Sequence, residues 1–146
     1  MKTLTTIQNL QDSVNKKIVF EPRMISQETV DQFGLITGDR SEHNGENTEG
    51  KFKKPLVQGY LSLSLFSNYL KRTVQISGTD PVNMGADNVR FVRPIYIGEP
   101  FIPVLMIESV EVDPKYIKVL WKYELQNEKS KLLLSAVIEA RYYHIT

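Results

Sequence analysis

The sequence predicts a single α+β domain in which one antiparallel sheet surrounds a central buried helix. Two observations predict this fold class. The second half of the chain alternates between apolar and polar residues with the period of β-strands, most clearly over 117–125. The first half carries helix signals instead, including a long apolar segment over 55–72. A chain of 146 residues, 41% hydrophobic and 24% charged, fits one domain over residues 1–146 with its own core.

The first elements are a short strand and a helix. Ile18-Val19-Phe20 reads as the strand. The helix follows Ser26, a good N-cap residue, and Ile25 can pack against Val30 as a hydrophobic staple. We expect this helix to end near Gly38. Residues 1–16 are polar with scattered Leu and Ile, so we expect a loosely attached N-terminal segment.

A polar loop and an apolar segment come next. Residues 38–54 contain little that is apolar and two interior glycines, which predicts a surface loop. A loop of this length in a compact domain is typically functional. Residues 55–72 are apolar nearly all round, with Pro55 at N1 or in the turn before a helix. An alternating strand pattern competes here, but the length favours a helix buried on most sides.

The remaining residues predict a meander of strands. We expect strands at 88–92, 101–112, 117–125 and 132–143, with turns at 113–115 and 126–129. The full order is a short strand, a helix, a loop, a buried helix and then the meander. That order is the basis of the α+β prediction.

The composition excludes several classes of site. There is no cysteine, which excludes disulfides, thiol nucleophiles and thiolate zinc sites, and only two histidines are present. A net charge of +1 gives no sign of nucleic acid or an anionic membrane as a partner. No apolar run is long enough for a signal peptide or a membrane span, so we expect a cytoplasmic location. No serine-hydrolase elbow, phosphate loop, dinucleotide fingerprint or metal cluster occurs, so we expect neither a cofactor nor a metal.

Three sequence segments resemble one enzyme family when they are taken in order. They are FGLITGDRSEHN, KPLVQGYLSLSLF and VNMGADNVRFVRPIYIGE. Each is weak alone, but the ordered set resembles the MaoC-like (R)-specific hydratases and dehydratases and extends over roughly residues 18–143. This resemblance implies a hotdog fold, in which an antiparallel sheet wraps around a central helix.

The resemblance also implies a set of site residues. Hydration of an enoyl thioester needs a base for water, an acid for the α-carbon and donors at the thioester oxygen. Asp39 matches the family's catalytic Asp, and Gly59 matches the glycine whose N–H serves as oxyanion donor. A glycine at a helix start suits that role, because the N–H groups there are unpaired. Ser62 is expected to meet the thioester or the water, while Asn83 and Gly85 match the segment that borders the pocket.

The sequence departs from the family at two positions. Asn44 stands five residues after Asp39, where the family has His, and His43 lies one position earlier. Asn44 can orient a water but cannot shuttle a proton, whereas His43 can do so if the loop shifts by one residue. Gln58 replaces the usual His before the helix glycine, and we expect it to contact substrate. Outside the resemblance, Asp39 is simply a residue that ends a helix.

Three functional hypotheses remain open. The first is a lyase that interconverts 2-enoyl and (R)-3-hydroxyacyl groups on coenzyme A or an acyl carrier protein. The second is a catalytically silent hotdog protein that binds acyl thioesters or pairs with an active homologue, and the Asn at position 44 favours it. The third is a hotdog thioesterase. We expect a homodimer for the lyase and for the silent protein alike, since a single hotdog sheet leaves an edge strand and a helix-free face that usually find a partner.

Overall fold

A computed structural model describes residues 2–40 and 51–146 of the chain. Its elements, in chain order, are α1 (Ile7–Asp12), β1 (Lys17–Val19), α2 (Gln27–Thr37), α3 (Gly59–Ser64), α4 (Phe66–Thr73), β2 (Thr79–Phe91), β3 (Ile102–Val112), β4 (Tyr116–Gln126) and β5 (Leu132–His144). The strands form one sheet in the order β1-β3-β4-β5-β2, and every pairing between them is antiparallel. The predicted α+β class is therefore confirmed.

The inner face of β4 forms the centre of the core. The five residues that the alternation placed on one face are all 0% exposed: Ile117, Val119, Trp121, Tyr123 and Leu125. Neighbouring inward residues of β3 and β5 are buried beside them, among them Ile107 and Leu134. Burial of so much apolar surface is the main driving force for this packing.

The outer face of the same sheet is charged. Lys118 pairs with Glu111 at 3.3 Å and with Glu139 at 3.6 Å, and Arg141 pairs with Glu139 at 2.9 Å. Such ion pairs on a sheet surface contribute little to stability individually. They make this face compatible with water, and the partner expected for the helix-free face stays a prediction.

Helices α3 and α4 lie against the inner face of the sheet. We predicted one helix over 55–72, but α3 begins only at Gly59, and the helix is interrupted at Leu65. Leu65 keeps right-handed helical dihedrals, so α4 continues directly from α3. Phe66 and Tyr69 are buried, whereas Tyr60 is exposed. The apolar composition had suggested a helix buried on most sides, but the helix buries only one side.

Helix α2 starts and ends where the sequence predicted. The Ser26 side chain accepts a hydrogen bond from the Thr29 amide at 3.2 Å, which caps the first turn. Gly38 ends the helix in the left-handed conformation with φ of 80°. An L-residue adopts that conformation only with strain, which explains a glycine here. The chain reverses at Gly38, and Asp39 follows at once.

The N-terminal segment packs against the domain, so the expectation of loose attachment was wrong. Leu10 of α1 is 0% exposed. The Leu4 amide donates to the Thr73 carbonyl at 2.7 Å, and the Asn15 amide donates to the Ile107 carbonyl at 2.8 Å. The low average hydrophobicity of residues 1–16 concealed these few well-placed contacts.

We expect Leu10→Ala to lower the free energy of unfolding by about 2–5 kcal/mol, because it leaves a cavity beneath α1. Chemical denaturation measures this loss, and Gln11→Ala on the exposed side of α1 is the matched control. Equal stability of Leu10→Ala and the wild type would mean that α1 is not part of the cooperative core.

Candidate active site

The start of α3 is tied to α2 by the side chain of Gln58. Gln58 is 0% exposed, and its Nε2 donates to the Val30 carbonyl at 2.9 Å and to the Asp39 carbonyl at 3.2 Å. We expected Gln58 to contact substrate. Its buried amide instead bonds the main chain, so the structure does not support a direct contact.

Asp39 lies on the surface, directly after the turn at Gly38. Its amide donates to the Thr37 hydroxyl at 3.2 Å, and the Thr37 hydroxyl donates to the Phe33 carbonyl at 2.8 Å. These bonds complete the end of α2. Asp39 therefore follows a helix terminus, as the interpretation without the family resemblance predicted. The bond from Gln58 also keeps Asp39 close to the start of α3.

A cavity of about 420 Å³ adjoins the start of α3. It is lined mainly by apolar side chains, and Gly59, Ser62, Lys51 and Arg93 also contribute to its wall. The Ser62 hydroxyl donates to the Gly59 carbonyl at 2.6 Å, which is the bond back to the preceding turn that the sequence suggested for this serine. The structure thus brings Gly59 and Ser62 together at one cavity.

The hydroxyl of Tyr123 fixes this part of the helix to the sheet. It donates to the Ser62 carbonyl at 2.9 Å, and burial raises the pKa of Tyr123 well above its ordinary value. The phenol therefore stays protonated and continues to donate at every pH near neutrality. Ser62 is held from both sides, through its own hydroxyl and through Tyr123.

Phe91 covers Gly59 and was not singled out from the sequence. A Cβ atom added to Gly59 would lie 3.0–3.1 Å from three carbons of the Phe91 ring. Phe91 is 47% exposed, and its ring centroid lies 5.8 Å from that of Tyr60. The only sequence signal was an aromatic residue at a strand end, which is common. The contact with Gly59 could therefore be recognised only from the structure.

Asn83 and Gly85 lie elsewhere in the chain. The Asn83 amide donates to the Ser67 hydroxyl at 3.1 Å, and Asn83 lines a smaller cavity of about 70 Å³ together with Tyr142. Asn83 and Phe91 are eight positions apart in β2, which corresponds to roughly 25 Å of extended chain. Within this chain, Asn83 and Gly85 therefore do not line the cavity at Gly59.

His43 and Asn44 lie outside the described residues. Which of them faces Asp39 stays a prediction from the sequence. No helix within residues 2–40 or 51–146 is long and apolar enough to span a membrane.

The order of these features agrees with one family. A family model for the MaoC like domain matches residues 9–119, a range that contains Asp39, Gln58, Gly59 and Phe91. The chain belongs to the MaoC-like domain family. No curated protein matches the chain.

Solved structures show the same fold as this MaoC-like chain. A monoamine oxidase regulatory protein from Archaeoglobus fulgidus has a TM-score of 0.79 and 23% identity, over 99% of this chain and 98% of that one. R-hydratase PhaJ1 from Pseudomonas aeruginosa has a TM-score of 0.72 and 22% identity, over 90% of this chain and 82% of that one. The HadBC (3R-hydroxyacyl-ACP dehydratase) complex from Mycobacterium tuberculosis has a TM-score of 0.67 and 13% identity, over 86% of this chain and 95% of that one. At these identities the likeness establishes the fold, and the hotdog prediction is confirmed.

We expect Gly59→Ala to cost more stability in the wild type than in a Phe91→Ala background, by about 1 kcal/mol, because only the wild type has a ring against the new methyl group. A double-mutant cycle on the free energies of unfolding measures the difference. If the free-energy changes of the two substitutions were strictly additive, the Phe91 ring would have to move aside freely.

Proposed function

We propose that this MaoC-like protein interconverts 2-enoyl and (R)-3-hydroxyacyl thioesters by adding or removing water. The observation that carries the proposal is the junction at Gln58, which ties Asp39 to the start of α3, where Gly59 borders an apolar cavity of about 420 Å³. A hydratase and a dehydratase among the structures with the same fold support it.

The proposed chemistry divides between Asp39 and Gly59. In hydration, the Asp39 carboxylate takes a proton from the water that attacks the β-carbon, and a proton is added at the α-carbon. Negative charge develops on the thioester oxygen, and the Gly59 N–H donates to it. The side chain of Gln58 does not cap α3, so it does not compete for the N–H groups at that helix start. His43, or a water held by Asn44, completes the acid/base set in this proposal.

The cavity suits an acyl chain with an anionic carrier. Its apolar walls favour the hydrocarbon part, and Lys51 and Arg93 contribute positive charge. These cations suit the phosphates of coenzyme A or the acidic helix of an acyl carrier protein. Lys54 is engaged elsewhere, since its ammonium group pairs with Glu99 at 3.3 Å. Addition of water to an enoyl thioester requires no cofactor.

A catalytically silent relative is the alternative, and the Asn at position 44 favours it. Such a protein binds acyl-CoA without turning it over. A thioesterase differs in its product, because it releases free thiol.

We expect Asp39→Asn to lower kcat/KM for hydration of crotonyl-CoA by about 10²- to 10⁴-fold, since the amide cannot accept the proton. Loss of the enoyl absorbance follows the reaction, and a thiol reagent in a parallel assay detects hydrolysis. Asp31→Asn, on the exposed side of α2, is the matched control. Equal rates for Asp39→Asn and the wild type over several chain lengths would refute the hydratase proposal.

We also propose a homodimer formed through β2. This strand has 13 residues, pairs on one side only with β5, and is exposed along most of its length. Val82, Met84, Phe91 and Val92 are exposed apolar residues on or next to it. A second copy paired along β2 would cover them and place Asn83 and Gly85 at the interface, near which the family resemblance puts the pocket.

We expect Met84→Lys to shift the protein from dimer to monomer, because it buries a charge at the proposed contact. Light scattering after gel filtration gives the mass. Val112→Lys, at an exposed strand end away from β2, is the control and should remain dimeric. A wild type that is monomeric at micromolar concentration would contradict the dimer.

A further inference from the structure

We infer that Gln58 is a positioning residue that fixes the main chain of Asp39 for the reaction, and that it does so independently of pH. The inference rests on the proposed function and names a residue that acts through Asp39. Gln58 does not itself contact the reacting atoms.

One nitrogen atom joins three parts of the chain. Both N–H bonds of Gln58 Nε2 are used, one for Val30 in the second turn of α2 and one for Asp39 beyond its end. Gln58 itself is the residue before α3. The position of Asp39 relative to the start of α3 is therefore set by hydrogen bonds within the protein.

Gly34 provides the space for this arrangement. A Cβ on Gly34 would lie 3.1 Å from the Asp39 carbonyl oxygen, 3.5 Å from Gln58 Nε2 and 3.0 Å from Cγ of Arg40. The chain thus reverses at Gly38 and runs back along α2, in contact with the side of the helix where Gly34 lacks a side chain. Gly34, Gly38 and Gln58 together determine where Asp39 begins.

An amide suits this position better than an imidazole does. A neutral histidine has one N–H and can donate to only one of the two carbonyls, while its other nitrogen is an acceptor. A charged imidazolium has two donors, but it loses a proton near neutral pH. The amide of Gln58 keeps both donors on one atom and does not titrate, so its bond to Asp39 does not itself depend on pH.

The same orientation leaves the start of α3 open. A residue at the N-cap position commonly turns its side-chain oxygen to the first N–H groups of the helix. Gln58 makes no such bond, and its Oε1 has no hydrogen-bond partner among the described residues. A buried oxygen without a partner is destabilising, so this side chain is better explained by what it positions than by the stability it adds.

The test compares Gln58→Met and Gln58→His with the wild type. For Gln58→Met we expect kcat with crotonyl-CoA to fall by about 10- to 100-fold, with KM changed by less than about threefold, because Asp39 is displaced while the cavity is kept. For Gln58→His we expect an intermediate kcat and an additional ionisation between pH 5 and 8 in the kcat profile. Gln75→Met, on the surface after α4, is the control and should match the wild type.

Amide hydrogen exchange supplies a readout that does not depend on activity. Peptides covering residues 34–40 should exchange faster in Gln58→Met, on the order of fivefold, while β4 is unchanged. Unchanged kcat together with unchanged exchange over 34–40 would overturn the inference, and so would faster exchange throughout the chain with normal kcat. If Gln58→Met does not fold, Gln58→His decides by the same two measurements. A wild type without hydratase activity refutes the proposed function, while the exchange data still decide whether Gln58 holds Asp39.

Discussion

The contact between the α3–α4 helix and the inner face of β4 is the interaction on which the rest of the molecule depends. Phe66 packs against Tyr123 with ring centroids 5.5 Å apart, and the Tyr123 hydroxyl bonds the Ser62 carbonyl from the same side. The apolar contact holds the helix against the sheet, and the directional bond fixes its position along the axis. Because Gly59 and Gln58 lie one turn away, this position also determines where the candidate site forms.

Much of the fold follows from the sequence because periodicity reports burial directly. The alternation in β4 identified its buried face residue by residue, and Ser26 and Gly38 marked the ends of α2 through local backbone chemistry. The N-terminal segment was misjudged because its attachment depends on Leu10 and two main-chain bonds, which an average over 16 residues conceals. The interruption at Leu65 has no sequence signal that we recognise.

The sequence named candidate residues for the site but not their arrangement. The family resemblance identified Asp39 and Gly59 as candidates. In the structure the Gln58 side chain bonds the Asp39 carbonyl, and Gly59 follows Gln58 in the chain. The resemblance could not show that Gln58 faces α2, since a buried amide and a ligand-binding amide look alike in a sequence. Nor could it show that Asn83 lies far along β2 from Phe91, because the sequence predicted a strand only over 88–92, whereas β2 begins at Thr79.

The irregular edge of β2 limits what can pair with it. Its register against β5 shifts between Asn83 and Gly85 and again between Asp87 and Arg90, and Pro81 has no N–H to offer. A bulge bends and twists its strand and a proline removes one donor, so this edge departs from the flat, regular template to which another strand adds most readily. The two register shifts and the proline therefore protect this exposed edge from the indiscriminate strand addition that leads to aggregation.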